Sequence, residues 1–177
     1  MFKKRLDPEL VKSLLRYENG KLYWKIRPTH LFSDECYSKT WNTKYANKEA
    51  GSLVHETFGD RYTIRIKGRN YYRSILVWVI HNNEWPIEDI DHKNVISTDD
   101  RIENLRLATN NDNKRNRKMY RNNSCGFKGV SKDGNRFRAR IVVNYKEILL
   151  GYFADAKSAH ECYLEAAKKY FGEFARG

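Results

Sequence analysis

Cysteine is scarce in this chain: the 177 residues contain only Cys36, Cys125 and Cys162, and no Cys-x-x-Cys pair. An odd and scattered set of cysteines argues against a disulfide framework and against a zinc ion held by cysteine. We therefore expect reduced thiols that serve as packing residues, as is typical of a cytoplasmic protein.

Long apolar runs are absent as well. No segment approaches the ~20 consecutive apolar residues needed to cross a bilayer. The basic start, Met-Phe-Lys-Lys-Arg, is not followed by the apolar core of a signal peptide. The sequence also lacks a long-period repeat and a low-complexity tract, so we expect a globular protein with no membrane partner.

Acidic residues are outnumbered by basic ones. Lys and Arg total 34 against 22 Asp and Glu, for a formal charge of +12 and a pI of about 9.6. Such a chain suits a partner with dense negative charge, and nucleic acid is the first candidate. The alternative is an ordinary basic soluble protein. The length allows one compact domain or two to three small modules.

Local signals predict the N-terminal elements. Asp7-Pro8 is typical of a helix start, so residues 9–15 are predicted to be helical. Asn19-Gly20 predicts a hairpin turn between two short strands. Residues 27–60 have few periodic apolar positions, and we expect them to be polar and irregular.

The following stretch predicts a second hairpin and a helix. Residues 61–67 alternate as a strand, and a return strand begins at Tyr71 after a turn. Residues 75–80 are apolar throughout, which fits either a buried strand or a buried helix. We favour a helix that ends near Asn82-Asn83, before Trp85-Pro86 breaks it.

Four polar residues carry the clearest chemistry: Asp91, His92, Asn104 and Asn113. A carboxylate and an amide oxygen, from Asp91 and Asn113, suit an ion such as Mg²⁺. The imidazole of His92 can take a proton from water at neutral pH. A base beside one divalent ion meets the needs of phosphodiester hydrolysis. Taken singly, however, an Asp-His pair is usually structural and such asparagines are usually caps.

The local pattern predicts how these residues are placed. Adjacent strand residues point to opposite faces, so the Asp-His pair converges only where a strand ends or is distorted. A loop over residues 93–104, braced by its last residue, supplies such an end, and residues 105–107 are predicted to form the second strand. A helix capped by Thr109 would then carry Asn113 on its first turns.

The C-terminal third predicts a small α+β module, in which one helix covers one face of a sheet. Asp155 is placed to cap the helix, which runs to about Phe171, and Gly172 is placed to end it. The predicted strands are residues 127–131, 136–141 and 147–153.

Basic residues are grouped in two places. A run over residues 114–121 is expected to contact phosphates as it connects two modules, although such runs are usually solvated faces. In the predicted middle strand of the C-terminal module, Arg136, Arg138 and Arg140 share one face. Like charges in a row repel, and a polyanion on that face would relieve the repulsion. Arginines on a sheet can read guanine edges in the major groove, but an ordinary solvent-facing strand is the alternative.

The central segment resembles the HNH endonucleases, and within them the His-Asn-Asn variants found as free-standing or intron-borne homing endonucleases of bacteriophages. The residues that carry the resemblance are Trp78, Ile90-Asp91-His92-Lys93-Asn94, Asp100 to Thr109, Asn113 and Asn116.

This resemblance implies a ββα-metal (His-Me finger) core over about residues 86–117. It makes His92 the general base and Asn104 the residue that orients His92 through the loop backbone. It makes Asp91 and Asn113 the ligands of a single divalent metal ion, Mg²⁺, for which Mn²⁺ can substitute. The implied products carry 5′-phosphate and 3′-hydroxyl ends.

The C-terminal module resembles the plant ethylene-response-factor (APETALA-type) DNA-binding domain over almost all of residues 124–177. The resemblance implies that Lys128 and the three arginines of the middle strand face DNA. Phe137 stands where relatives commonly have Trp. The matching stretches are Phe127-Lys128-Gly129-Val130, Arg136 to Ile141, Leu150 to Phe153, Ala156 to Ala167 and Phe171 to Ala175.

One basic residue outside these groups is also a candidate DNA contact. HNH relatives often carry His-Arg a few residues before the tryptophan, where this chain has Ser74-Ile75, and Arg73 lies nearby. The residues expected to contact DNA are Arg73, Lys114, Arg115, Arg117, Lys118, Arg121, Lys128, Arg136, Arg138 and Arg140.

Together these patterns predict an α+β chain in four parts. They are an N-terminal β-rich, hairpin-containing DNA-binding region (1–72), a nuclease core (73–117), a basic linker (118–123) and a DNA-binding domain (124–177) with a three-stranded antiparallel sheet on one helix. We expect a cytoplasmic, metal-dependent endonuclease of phage homing type that acts on double-stranded DNA, as a monomer rather than an oligomer, without a small-molecule cofactor. The alternatives are a DNA-binding regulator with an inert core, and an RNA-directed nuclease or binder.

Overall fold

The computed structural model describes residues 5–57, 59–109 and 125–175, and the chain divides at Leu107/Ala108 into two compact units. The described residues form a mixed α+β structure with four helices and several small sheets. Each unit has its own apolar core. In the described ranges no helix is long and apolar enough to cross a membrane.

The chain begins with a helix and a hairpin, as predicted. Helix α1 spans Pro8–Leu14, and the Asp7 carboxylate accepts a hydrogen bond from the Glu9 amide at 3.0 Å. Strands β1 (Leu15–Glu18) and β2 (Lys21–Trp24) pair antiparallel. The turn residues between them, Asn19-Gly20, have φ angles of 46° and 81°, which is the left-handed backbone that these residue types favour.

The prediction of an irregular segment over residues 27–60 is wrong. This segment contains a 3₁₀ turn (Thr29–Leu31), helix α2 (Glu35–Tyr45) and strand β3 (Ser52–Val54). Helix α2 is capped by Asp34, whose carboxylate accepts from the Tyr37 amide at 2.7 Å. Ser38 is the buried residue of this helix. Its aromatic residues Tyr37, Trp41 and Tyr45 follow helical spacing, and Trp41 packs on the core. The other positions are mostly polar, so this narrow row was missed in the search for apolar periodicity.

The second hairpin and its helix are confirmed. Strands β4 (Arg61–Ile66) and β5 (Arg69–Tyr72) pair antiparallel, and β3 completes a sheet in the order β3-β4-β5. Helix α3 follows directly over Arg73–Asn82, so the apolar run is a helix rather than a strand. It ends at Asn83, whose φ of 57° is the left-handed conformation that stops a helix.

A short two-stranded sheet completes the first unit. Strand β6 (Asp89–His92) pairs with β7 (Leu105–Ala108), and a 3₁₀ turn (Ile102–Asn104) precedes β7. The loop between them closes with a hydrogen bond from the Lys93 amide to the Asn104 carbonyl oxygen at 2.9 Å. The predicted ββ part is therefore present. The predicted helix with Asn113 lies outside the described residues, so the ββα-metal core remains a prediction.

One apolar core serves the whole first unit. It draws on helix α1, the first hairpin, the β3-β4-β5 sheet, helix α3 and Leu105. Residues on both sides of the expected boundary at 72/73 thus pack in the same core. Within the described part of residues 1–107, the expected N-terminal region and the motif segment share this core, and the four-part division of the chain stays a prediction.

The second unit has the predicted sheet on a helix. Strands β8, β9 and β10 form an antiparallel sheet in the order β10-β9-β8, and helix α4 packs on it and ends at Gly172. The first strand begins later than predicted, because Phe127 to Val130 forms a turn with Gly129 at φ 75°. A Cβ at Gly129 would lie 2.0 Å from Tyr163 Cδ2, so only glycine fits under helix α4. The bounds are β8 Val130–Asp133, β9 Arg136–Val143, β10 Lys146–Phe153, α4 Ala156–Phe171 and a 3₁₀ turn over Gly172–Phe174.

Candidate active site

His92, the predicted base, is the last residue of β6 and is only 6% exposed. Its Nε2 lies 2.8 Å from Oδ1 of Asp100, which is itself 2% exposed. A buried carboxylate beside a buried imidazole is costly unless both are held by further hydrogen bonds. The pair therefore points to a site whose other contacts compensate the buried charge.

Arg73 supplies that compensation. Its Nε donates to Oδ2 of Asp100 at 2.7 Å, and its Nη2 donates to the Thr98 carbonyl oxygen at 3.0 Å. Its Nη1 donates to Oε1 of Glu49 at 3.0 Å, and the guanidinium lies 3.8 Å from the centre of the Tyr62 ring. The chain Glu49–Arg73–Asp100–His92 is thus continuous from the exposed Glu49 to the buried His92.

The position of Arg73 differs from the expected DNA contact. The side chain is 3% exposed and its guanidinium is enclosed by the groups just described. A guanidinium in this position cannot reach a phosphate without breaking a buried ion pair. The residue begins helix α3, so sequence position alone could not separate an exposed first-turn arginine from one that turns into the core.

Asn104 braces the loop between β6 and β7. Its Oδ1 accepts from the Asn94 amide at 3.0 Å, and its Nδ2 donates to the Asp99 carbonyl oxygen at 2.7 Å. The Nδ2 group also lies 3.0 Å from the Asn94 Oδ1. These bonds tie the residues after His92 to those before β7. The further role of orienting His92 stays a prediction.

Asp91, the predicted metal ligand, forms an ion pair with Arg106. Arg106 Nε and Nη2 lie 3.0 and 2.8 Å from Oδ2 of Asp91, and the two side chains are 8% and 14% exposed. Asp91 and His92 therefore have different charged partners, Arg106 and Asp100. This arrangement fits the alternation of side chains along a strand.

The described residues contain one of the two predicted metal ligands, Asp91. They contain no group of three His, Cys, Asp or Glu residues that could hold an ion. The second predicted ligand, Asn113, lies outside them. Mg²⁺ is commonly held by only one or two carboxylates together with water and substrate phosphate. The Asp91 carboxylate, a hard oxygen donor, is compatible with such an ion.

A second ion pair stiffens the loop near the site. Arg101 Nε and Nη2 lie 2.8 Å from the two carboxylate oxygens of Asp99, and Asn94 donates to the same carboxylate at 2.7 Å. The hydrogen bonds from Arg101 lower the pKa of Asp99 to about 2. Asp99 is thus ionised throughout the neutral range and contacts groups other than His92.

In the second unit, the three arginines of β9 lie on the face opposite helix α4, whereas Ala139 and Ile141 are buried beneath that helix. Arg140 forms an exposed ion pair with Glu147 of β10 at 2.7 Å. Arg138 is paired across the sheet with Ser131 and Tyr152. Its buried Nε has no hydrogen-bond partner in the ranges that the structure describes.

Of the other expected DNA contacts, one lies in the described residues and five lie outside them. Lys128 is half-buried in the turn before β8, and its carbonyl oxygen lies 3.1 Å from Nδ1 of His160. The five basic residues of the predicted connector lie outside the described residues: Lys114, Arg115, Arg117, Lys118 and Arg121.

Three site residues were missed from the sequence: Asp100, Arg106 and Glu49. Asp100 and Arg106 lie inside the stretch that carries the HNH resemblance, so the motif itself was the available signal. Glu49 had none, because it lies in the segment that was expected to be irregular and reaches Arg73 only through the fold.

Comparison with known families finds a match to the segment that contains the candidate site. Residues 71–115 match the family model of HNH endonucleases. No curated protein and no solved structure shows significant similarity to the chain. The matched range includes Asp91, His92, Asn104 and Asn113, and it supports an HNH nuclease domain. It ends before the second unit's sheet, whose resemblance to ethylene-response-factor domains stays a prediction.

Proposed function

We propose that this protein is a metal-dependent DNA endonuclease of the HNH type. The observation that carries the proposal is the coincidence of the HNH match with the β6–β7 hairpin. In that hairpin, Asp91 and His92 are the last two residues of β6, where the strand meets the loop. A buried His92 with a fixed carboxylate partner is a suitable base, and Asp91 is a suitable metal ligand.

In this mechanism, His92 takes a proton from the water that attacks the scissile phosphorus. Asn104 holds the loop so that the end of β6 keeps its position. Asp91 and Asn113 would hold the metal ion. A bound Mg²⁺ supplies charge neutralisation at the phosphate and stabilisation of the 3′ leaving oxygen. The products are 5′-phosphate and 3′-hydroxyl ends.

DNA binding is assigned chiefly to the exposed face of β9. Arg136, Arg138 and Arg140 give it three positive charges. The exposed Arg136 and Arg140 side chains can contact phosphates or base edges. The basic segment over residues 114–121 adds to the same positive charge. Double-stranded DNA is therefore the proposed substrate.

The finer biological role rests on the resemblance to phage enzymes. We assign the protein to free-standing or intron-borne homing endonucleases of bacteriophages, acting in the cytoplasm of the host. A single nuclease segment per chain favours nicking by a monomer.

Plasmid topology tests the proposed function. Wild type and His92→Ala are incubated with supercoiled plasmid in Mg²⁺, in Mn²⁺ and in EDTA, with His30→Ala as a control at an exposed histidine. Wild type and the control should convert the plasmid in either metal but not in EDTA, and His92→Ala should not. Equal conversion by His92→Ala would remove His92 from the chemistry.

Two observations favour a second function, that of a DNA-binding regulator that does not cut. Arg106 holds Asp91, and His92 is almost completely buried. The same assay separates the two functions when it is run on DNA that the protein demonstrably binds. Binding without any metal-dependent conversion would support the regulator.

A further inference from the structure

We propose that Asp100 is a positioning residue that fixes the tautomer of His92, and that Arg73 fixes the direction in which Asp100 acts. This proposal rests on the proposed function, because a positioning role presupposes that His92 is the base. Neither residue was assigned a role in catalysis by the motif.

The first step concerns the two nitrogens of the imidazole. An ionised carboxylate can only accept hydrogen bonds, so the 2.8 Å contact requires Nε2 of His92 to carry the hydrogen. In a neutral imidazole the lone pair then belongs to Nδ1. Nδ1 is therefore the atom that takes the proton in the reaction.

The second step concerns Arg73. Its guanidinium is always charged and can only donate. Its Nε donates a hydrogen bond to Oδ2 of Asp100 at 2.7 Å, while Oδ1 of Asp100 faces His92. Further bonds to Thr98 and Glu49 prevent the guanidinium from turning away. Each oxygen of the Asp100 carboxylate therefore has its own fixed partner: Oδ1 faces His92 and Oδ2 faces Arg73.

The substitution Asp100→Asn tests this arrangement of the two oxygens. The carboxamide has one acceptor and one donor end. Because Arg73 Nε must face the oxygen, the NH₂ group must face Nε2 of His92. Nε2 then has to accept, the hydrogen moves to Nδ1, and the base loses its lone pair. The substitution is nearly isosteric, so the ring stays in place with the wrong tautomer.

The expected effect is large and confined to chemistry. In serine proteases, the same Asp→Asn change beside a catalytic histidine lowers kcat ~10⁴-fold. We expect Asp100→Asn to lower kcat at least ~100-fold, with little change in KM or in DNA affinity. Asp99→Asn is the matched control, because this neighbouring carboxylate pairs with Arg101 and Asn94 instead.

A tautomer readout separates this proposal from the proposed function. Long-range ¹H–¹⁵N spectra of histidine-labelled protein show which ring nitrogen carries the hydrogen. The signal that is absent from the spectrum of the His92→Gln variant identifies His92 among the five histidines. Wild type and Asp99→Asn should show the Nε2–H form, and Asp100→Asn the Nδ1–H form. Asp100→Asn that keeps the Nε2–H form, or that changes tautomer with wild-type kcat, would overturn the proposal. A wild type that does not cut but shows these tautomers would refute only the proposed function.

A second variant applies if Asp100→Asn does not fold. Arg73→Met combined with Asp100→Asn removes both charges, so no buried ion lacks its partner. With Arg73 gone, the carboxamide introduced at position 100 can present either end to His92. We expect a mixture of both tautomers and a kcat between those of wild type and His92→Gln. The Nε2–H form alone together with wild-type kcat would contradict the proposal.

Discussion

The two units of this protein use charge in opposite ways. Every buried Asp, Glu, His, Lys or Arg side chain in the described residues belongs to the first unit: Arg73, His92, Asp100 and Arg106. In the second unit, Arg136 and Arg140 are exposed, Arg138 is half-buried, and the core under helix α4 is apolar. Buried charge is expensive and must be paired, so it fixes geometry. Exposed charge has little effect on stability and stays available to a polyanion.

This contrast separates chemistry from binding. In the first unit, polar groups hold a histidine and an aspartate at one end of a short strand. In the second, a row of arginines follows one face of a sheet. Substitutions in the first unit should therefore affect stability and cleavage, and those in the second should affect DNA affinity and its dependence on salt.

The largest expected difference is in how much stability is lost when an ion pair of each unit is broken. Arg106→Ala removes one partner of Asp91 from a largely buried ion pair, and should lower the free energy of unfolding of the first unit by about 3 kcal/mol. Arg140→Ala breaks an exposed pair and should cost less than about 1 kcal/mol. Urea unfolding measures both losses of stability. Tryptophan fluorescence follows the first unit, because all four tryptophans lie in residues 1–107. Circular dichroism follows the second. Equal losses would contradict the contrast.

A smaller loss is expected at an uncharged brace. Asn104→Ala leaves the Asn94 amide and the Asp99 carbonyl oxygen without this partner, and should destabilise the first unit by about 2 kcal/mol. It should also slow cleavage, because the loop after His92 loses its tie to β7. Asn135→Ala, in the exposed β8–β9 turn, is the control and should change neither property. A wild-type cleavage rate in Asn104→Ala would show that the brace has no role in the reaction.

The arginine face should appear in the salt dependence of binding. Each phosphate contact that is lost reduces the slope of log K against log salt by ~0.9, so replacing Arg136, Arg138 and Arg140 with Gln should reduce it by up to ~2.7. The measurement is a titration of labelled duplex DNA at several salt concentrations. Lys157→Gln, on the exposed side of helix α4, serves as the comparison. A slope that is unchanged in the triple variant would exclude this face as the DNA contact.

The smallest expected effect is one of pH. Asp99 has a pKa of about 2 in the folded protein, below its usual value of 3.8. Its ionised form therefore stabilises the fold above about pH 4, and this contribution is lost as the pH falls toward 2. Asp99→Asn should lose less stability than wild type between pH 5 and pH 3 in urea unfolding. Parallel losses in the two proteins would show that the Asp99–Arg101 pair does not stabilise the fold.

Patterns along the chain predicted most of the elements. Asp7 and Asp155 accept hydrogen bonds from nearby amides, and Asn19-Gly20 adopts the left-handed backbone of a tight turn. Local sequence therefore suffices to place them. Helix α2 was missed because its helical spacing is carried only by a narrow row of aromatics, Tyr37, Trp41 and Tyr45, among polar residues. The first strand of the C-terminal sheet began late because a Gly129 turn, needed for contact with Tyr163, has no strand-like signal.

The candidate site was predictable only in part. The order Asp91-His92-Asn104 lies on one hairpin, so the motif sufficed to find it. The links from His92 to Asp100, Arg73 and Glu49 cross from β6 to helix α3 and to the stretch before β3. Such contacts depend on how the elements pack. Arg73 was expected to contact DNA and is instead buried, so the charge of a residue type does not by itself predict its exposure.

The rate of single-turnover cleavage at saturating protein tests the division between chemistry and binding most directly. His92→Gln and the triple arginine variant are compared with wild type on the same duplex DNA, with binding measured in parallel. The account predicts that His92→Gln binds normally but is slower by ~10²–10⁴-fold. It predicts that the triple variant binds weakly but reaches the wild-type rate once saturated. A normal rate for His92→Gln, or a slow saturated rate for the triple variant, would contradict it.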